Sequence, residues 1–487
     1  MVTAQEYFDY AMYLLEKGNH EDAVVMLCRA IEQRGDYTEA YNNLGVLFRE
    51  QGKLIEAEAC FRKSIDLEPK RAAHYNNLAL VFLDTNRHQE AVLCLQEALK
   101  FDPLLPEIYN SLGLVYEAQG KAKEAESAYA KATRLKPEYF EAYYNWGTFL
   151  KSRNEDQPAE KYLQMALALM PNDSATKFSL ATLQLRAGRY ETGWKLYDQV
   201  RLKRSLNRSK GIKRWNGESV QDCRILLFFD QGFGDTLQFV RYTKQLLDLG
   251  AKIVLWVQMP LQALLRNSYP EVTVYCGKKI PPGVYDYACP LLSLPSILQT
   301  TIETIPQRIP YIIPEKNIVD KWKQYLPLLR PVIKKIGVVW AGNPQHSNDK
   351  NRSIPFSVFK QLFSVSDVFW ISLQAGERAG DLGENPAVVM DISFELVDFS
   401  QTAGLIANLD LVITVDSAVA HLAGSMGKLT WLLLPYSPDW RWLLHTKCSS
   451  WYPSIRLFRQ KKIGDWKAVI EEVKTELQQA KQISPSG

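Results

Sequence analysis

Three loops in the second half of the 487-residue chain concentrate the side chains that could do chemistry. The first reads Asp230-Gln-Gly-Phe-Gly-Asp235. Glycines at Gly232 and Gly234 let the backbone approach a ligand, and a helix opening at Asp235 favours an anion at its N-terminus. The Asp235 carboxylate could accept a proton from an incoming hydroxyl, or could simply be a helix-start aspartate. A dinucleotide fingerprint would need a third glycine where Leu237 stands and an acid where the next strand ends in Gln258, so a dehydrogenase fits poorly. The second loop, Ala341 to Ser353, joins a small-residue turn at Gly342 to basic side chains and the Ser353 hydroxyl, and Arg352 could grip a phosphate through paired hydrogen bonds. The third, Asp416-Ser-Ala-Val-Ala-His421-Leu-Ala-Gly424, is the richest. Asp416 would stand at a strand tip, the Ser417 and Ala418 amides at a helix N-terminus, and His421 one turn in. That is an anion site with a polar neighbour for a sugar or ribose hydroxyl, although a helical histidine reads equally well as structural. In Asp439-Trp-Arg-Trp442 the arginine could stack on a base or balance a diphosphate, or the segment could be a packed turn.

The elements that must hold these loops follow from periodicity. Apolar runs of about five residues at 225–229, 253–257, 272–275, 336–340, 368–372, 411–415 and 430–434 alternate with amphipathic stretches, which predicts parallel strands buried on both faces. Leu326–Lys335, with Pro327 and Pro331, divides them into two doubly wound halves, 222–330 and 331–487, and ligands of such sheets bind where the strands' carboxyl ends open into a cleft. A final amphipathic helix near Asp465–Lys481 is expected to pack across the two halves.

Residues 1–203 have a different grammar. NNLGVLF at Asn42, NNLALVF at Asn76, NSLGLVY at Asn110 and YNWGTFL at Tyr144 recur every 34 residues, with small residues at Gly45, Ala79, Gly113 and Gly147 and closing prolines at Pro69, Pro103, Pro137 and Pro171. Small residues sit where paired helices touch, and proline ends the second helix. This order of landmarks resembles the tetratricopeptide repeat, with about five and a half units over residues 4–200. Such an α solenoid has a concave face for a peptide or partner. Asn43, Asn77 and Asn145 form an amide ladder that could hold a peptide backbone, or could bond the neighbouring repeat. The concave face suits a second copy of the chain as well, giving a homo-oligomer. Cys28, Cys60 and Cys94 read as small core residues.

Between these regions, at 204–221, lies a basic linker; the run Arg201–Arg214 has seven basic residues and no acid, and reads as a solvated connector. No aromatic is interleaved with it, and a net charge of +4 is too weak to imply nucleic acid. The longest uncharged run, Tyr287–Ile302, is too short for a transmembrane segment and is broken by prolines. Seven cysteines without a CxxC pair argue against disulfides or a zinc site, and a cytoplasmic location is expected.

Taken together, the GFGD loop, the IGVVWAGNPQHSNDKNRSIP stretch and VITVDSAVAHLAGSMGK resemble the heptosyltransferase family. Repeats fused to such a module are similar in layout to protein O-GlcNAc transferases. The resemblance implies a GT-B pair of α/β domains, 222–330 on the acceptor side and 331–487 on the donor side. It implies an inverting glycosyltransferase without a bound metal, in keeping with the lack of a DxD triplet, and no cofactor beyond an ADP- or UDP-linked nucleotide-sugar. Asp235 would be the catalytic base; Arg352 and Ser353 would lie at the phosphates, where the family has lysine; Asp416, Ser417, Ala418 and His421 would form the donor loop; and Gln374 would meet the base. The acceptor would be a hydroxyl on a protein or peptide presented by the repeats. The alternative is a non-catalytic scaffold in which the repeats are the working part.

Overall fold

The computed structural model describes residues 2–327, 334–383 and 389–482, with side chains at 202–206 and 480–482 outside the described set. The prolyl divider expected at 326–335 lies mostly outside the described residues. The chain forms two compact units, Met1–Thr176 and Lys177–Gly487.

The first unit is a run of five helix pairs: Ala4–Glu16 with His20–Gln33, Thr38–Glu50 with Leu54–Leu67, Ala72–Asp84 with His88–Phe101, Pro106–Ala118 with Ala122–Leu135, and Phe140–Ser152 with Asp156–Leu169. The small residues are needed for the reason the period implies. A Cβ at Gly45 would stand 2.8 Å from the Phe61 ring, at Gly113 2.4 Å from Tyr129, and at Gly147 2.7 Å from Leu163, each on the second helix of the same pair. The second helices stop at Leu67, Phe101, Leu135 and Leu169, two residues before each closing proline. Cys60 is buried, Cys28 and Cys94 half-buried, and all seven cysteines are free thiols.

The second unit holds two wholly parallel sheets. The first contains β1 (Arg224–Phe228), β2 (Lys252–Val257), β3 (Thr273–Cys276) and β4 (Tyr287–Pro290) in the order β3-β2-β1-β4. The second contains β5 (Lys334–Val339), β6 (Val368–Ser372), β7 (Val389–Asp391), β8 (Leu411–Val415), β9 (Thr430–Leu434) and β10 (Ile455–Arg459) in the order β10-β9-β8-β5-β6-β7. Its winding reverses between β5 and β8, so the loops after those two strands flank the switch point where a doubly wound sheet opens a crevice. The closing helix, Trp466–Gln482, expected to span both halves, makes its main contacts with β10 and with residues 356–364 of the second sheet's own layer. Among the described residues no helix is long and apolar enough to cross a membrane.

Two features differ from the sequence reading. The helical pair Ser174–Arg186 and Tyr190–Leu206 keeps the repeat's register, yet from Lys177 onward it belongs to the α/β unit rather than to a solenoid ending at 203. Trp194 is buried and meets Trp440, Trp451, Phe239 and Tyr197 edge-on, with ring centroids 5.1–6.3 Å apart. Arg186 also donates to Ser437 Oγ at 2.8 Å. Nor is the basic run, over its described side chains, simply a solvated connector. Arg208 lies 3.8 Å over the Phe229 ring and donates to the Phe229 carbonyl; Arg214 pairs with Asp198 at 2.5 Å; and residues 213–215 hydrogen-bond alongside Ala288 of β4. Cations with rings and a carboxylate to meet are drawn onto the fold rather than into water. Replacing Trp194 by alanine should cost about 3–5 kcal/mol of the stability of this unit. Urea denaturation of a fragment beginning at residue 171 would measure it, and a fragment beginning at 207 should fail to fold.

Candidate functional site

The loops singled out in the sequence all leave carboxyl ends of strands: 229–235 after β1, 340–353 after β5, 416–418 after β8 and 435–442 after β9. Helix Phe233–Phe239, from the first sheet, packs directly on helix Ala418–Ser425, from the second. The approach is close because Gly234 has no side chain. A Cβ there would be 2.8 Å from His421 Cδ2. His421 is buried against Trp442 and Tyr452, its Nδ1 3.0 Å from the Tyr452 hydroxyl. Burial, then the Arg441, Arg241 and Arg352 guanidiniums, hold its pKa well below the usual histidine range. The imidazole is wedged between the two helices, where it packs one against the other.

Asp235 lies in the first turn of its helix. Its Oδ2 accepts the Gly232 N–H at 3.2 Å and its Oδ1 pairs with Arg441 Nη2 at 2.5 Å. Arg441 is the hub. From one buried guanidinium it donates to Asp235, to Asp439 Oδ1 at 2.9 Å and to Gln238 Oε1 at 2.6 Å, while lying 4.4 Å over the Trp440 ring. It thereby links a loop of the first sheet to a loop of the second.

Asp416 follows β8 and is half-buried. Withdrawal from water, then the Asp439 carboxylate, push its pKa up to about 6, with Arg352, Trp442 and Arg441 pulling the other way. Ser417 caps the next helix, its hydroxyl 3.0 Å from Thr414 Oγ1, and Ala418 begins it. In the β5 loop, Arg352 Nε pairs with buried Asp349 at 3.3 Å, and the Ser353 hydroxyl donates to Asp349 while accepting the Gly342 N–H, both at 2.9 Å. A Cβ on Gly342 would come within 2.5 Å of Arg352 and 2.6 Å of Asp349. Gly342 is thus required by the Arg352–Asp349 pair.

Some expected residues are spent elsewhere. Gln374 is buried, and its amide accepts from Trp340 and Ala341 N–H while donating to the Ala341 and Ala375 carbonyls. It braces the exit of β5 and does not present its amide to a nucleotide base. Gln258 holds the first loop, donating to the Gln231 carbonyl and accepting from Thr236. In the repeats, Asn77 donates to Asn42 at 2.9 Å and Asn145 to Asn110 at 3.0 Å, while Asn43 Nδ2 reaches Met12 Sδ at 3.5 Å. The ladder bonds repeat to repeat.

Gln238, Asp439 and His346 were assigned no role from the sequence. His346, in the β5 loop, has its pKa lowered by burial and by Arg352, against Asp439, Asp349 and Asp235. Only its place in a strand-end loop could have drawn attention to it. Among the described residues no group of acidic, histidine and cysteine side chains is arranged to hold a metal ion.

Comparison with known proteins divides along the same line. The tetratricopeptide repeat family matches residues 36–104 and 106–139, so this stretch consists of tetratricopeptide repeats. The chain is 27% identical over 336 residues to Protein FlbA of Caulobacter vibrioides, a match covering 63% of this chain and 56% of that protein. The chain therefore spans little more than half the length of that relative. Among solved structures, MamA (24% identity, TM-score 0.28) covers 33% of this chain and 94% of its own. PilF of Pseudomonas aeruginosa (23%, 0.34) covers 42% and 91%. YrrB, described as a TPR protein with an unusual peptide-binding site (22%, 0.27), covers 36% and 89%.

The Asp416 environment makes a pH-dependent prediction. Because its pKa is raised in the folded chain, the folded state keeps this proton up to about pH 6 while the unfolded chain releases it near 4. Its contribution to stability therefore declines as pH rises from about 4 to about 6 and stays unfavourable above. Asp416→Asn should stabilise the protein by about 1–3 kcal/mol at pH 8, with the gain vanishing below pH 4. Thermal denaturation across that range would read it.

Proposed function

We propose that the Lys177–Gly487 unit is a GT-B-type inverting glycosyltransferase using a nucleotide-sugar donor. The observation that carries this reading is the meeting of three loops. Arg352 and Asp416 flank the β5–β8 switch point of the second sheet, and Asp235 from the first sheet is brought to the same cleft through Arg441. Switch-point loops with helix N-terminal amides and a guanidinium suit a diphosphate, and a carboxylate from the facing sheet suits an acceptor hydroxyl. In the proposed reaction Asp235 takes the hydroxyl proton as that oxygen bonds to the anomeric carbon from the face opposite the leaving group. The bond from anomeric carbon to phosphate oxygen breaks, its electron pair leaves with the nucleoside diphosphate, and the Ser417 and Ala418 amides with Arg352 stabilise that charge. Gly234 lets the β1 loop approach the helix after β8, and Gly342 leaves room for the Arg352–Asp349 pair within the β5 loop. The acceptor would be a protein or peptide held by the repeats, whose stacked helices provide an extended surface.

A second reading keeps the repeats as a binding scaffold and makes the α/β unit non-catalytic. What favours it is that both Asp235 oxygens already have partners. A thermal-shift panel of ADP, UDP, GDP and their sugars separates the two, since a ligand of the folded form must raise Tm. Under the enzyme reading one nucleotide family stabilises the chain, and Asp235→Ala lowers sugar transfer by about 10²–10⁴-fold while donor binding survives. Transfer undiminished in that variant would remove Asp235 from the chemistry. A chain that no nucleotide stabilises would leave the scaffold.

A further inference from the structure

This inference rests on the reading just given and concerns Arg441. At the cleft, four carboxylates (Asp235, Asp349, Asp416 and Asp439) surround two guanidiniums, Arg352 and Arg441, both already paired. A diphosphate taken up by Arg352 and the helix amides would still face this excess of carboxylates unless a second cation were released to it. Arg241 is not that cation. It is buried, donating to the Gln238, Trp451 and Pro306 carbonyls and to the Tyr311 hydroxyl, with the Tyr311 and Tyr452 rings each 4.8 Å away. Arg352 is tied within its own loop to an aspartate that also binds Ser353.

Arg441 is held differently. Its partner Asp235 comes from the opposite sheet, keeps 18% of its side chain exposed, and has the Gly232 N–H to retain if Arg441 leaves. Arg441 in turn keeps Asp439, Gln238 and Trp440 if it lets Asp235 go, so its planar guanidinium can stay in place while Nη2 changes acceptor. We propose that Arg441 binds the donor's diphosphate and exchanges Asp235 for it, so that donor binding is what frees Asp235 Oδ1 for the acceptor hydroxyl. The donor must then bind first. A charge-assisted pair between guanidinium and phosphate replaces one between guanidinium and carboxylate, and the displaced carboxylate turns to the acceptor.

The test is calorimetric titration of the full chain with ADP, UDP, GDP and inorganic pyrophosphate, for wild type, Asp235→Asn, Arg441→Lys and the double variant, with Arg441→Met in place of lysine if that variant does not fold. Asp235→Asn should bind the recognised diphosphate about five- to tenfold more tightly than wild type, because Arg441 no longer has to be won from it. Arg441→Lys should bind about tenfold more weakly. The gain from Asp235→Asn should vanish in the double variant, since the two residues act on the ligand as one unit. Unchanged or weaker binding by Asp235→Asn overturns the exchange. So does a gain that persists in the double variant, which would make Asp235 merely a nearby negative charge. If wild type binds a nucleotide and transfers sugar in either case, the exchange alone fails. If neither wild type nor any variant binds any of the four probes, the donor-site reading fails and takes the exchange with it.

Discussion

A buried guanidinium imposes a constraint that much of the α/β unit is arranged to meet. Taking a cation out of water costs several kcal/mol unless it is paired and hydrogen-bonded. Arg441 finds its partners on both sheets: Asp235 and Gln238 from the segment after β1, Asp439 and Trp440 from the segment after β9. Satisfying it fixes how the first helix of one sheet meets the loops of the other. The close contact of Gly234 with His421 and the ring cluster around Trp194 and Trp440 follow from the same alignment. A charge held in this way specifies an arrangement more than it adds stability.

The glycines of both units answer one question, how near two backbones must come. In the repeats Gly45, Gly113 and Gly147 let a large side chain of the paired helix lie across the first. In the α/β unit Gly234 and Gly342 do the same for an imidazole and a guanidinium. In the first case the result is a uniform spacing that can be repeated along a solenoid. In the second it is a single local crowding of polar groups.

Much of this was legible in the sequence, because the relevant signals are local. The 34-residue period located the helix pairs, and seven apolar runs located seven of the ten strands among the described residues. The other three gave little signal. Tyr287–Pro290 and Val389–Asp391 are very short, and Ile455–Arg459, at the sheet edge, is interrupted by Arg456 and closed by Arg459. The loops of the site were found because parallel sheets place them at strand ends. Their internal bonding was not, since Arg441 and Asp235 are 206 residues apart and nothing local announces the pair. Gln374 shows the opposite failure: position suggested a ligand, while the neighbouring backbone of β5 had already claimed the amide. The end of the first unit was misplaced because a repeat's period records how its helices pair and not which neighbour buries them. The stripe of Tyr190, Trp194 and Tyr197 was the available clue, being too aromatic for a helix facing only another repeat.

That last hairpin has a consequence for how such an array can change. A solenoid ordinarily needs a capping unit with a polar outer face where stacking stops. Here the final helices are covered by tryptophans of the α/β unit and held through Arg186 to Ser437. The hairpin that keeps the repeat's register is thus covered by the α/β unit to which it belongs. The hairpin beyond Thr176 cannot be exchanged without rebuilding the wall behind Arg441. A helix pair that reads as a repeat in the sequence is therefore part of the α/β core in the structure and must vary with it.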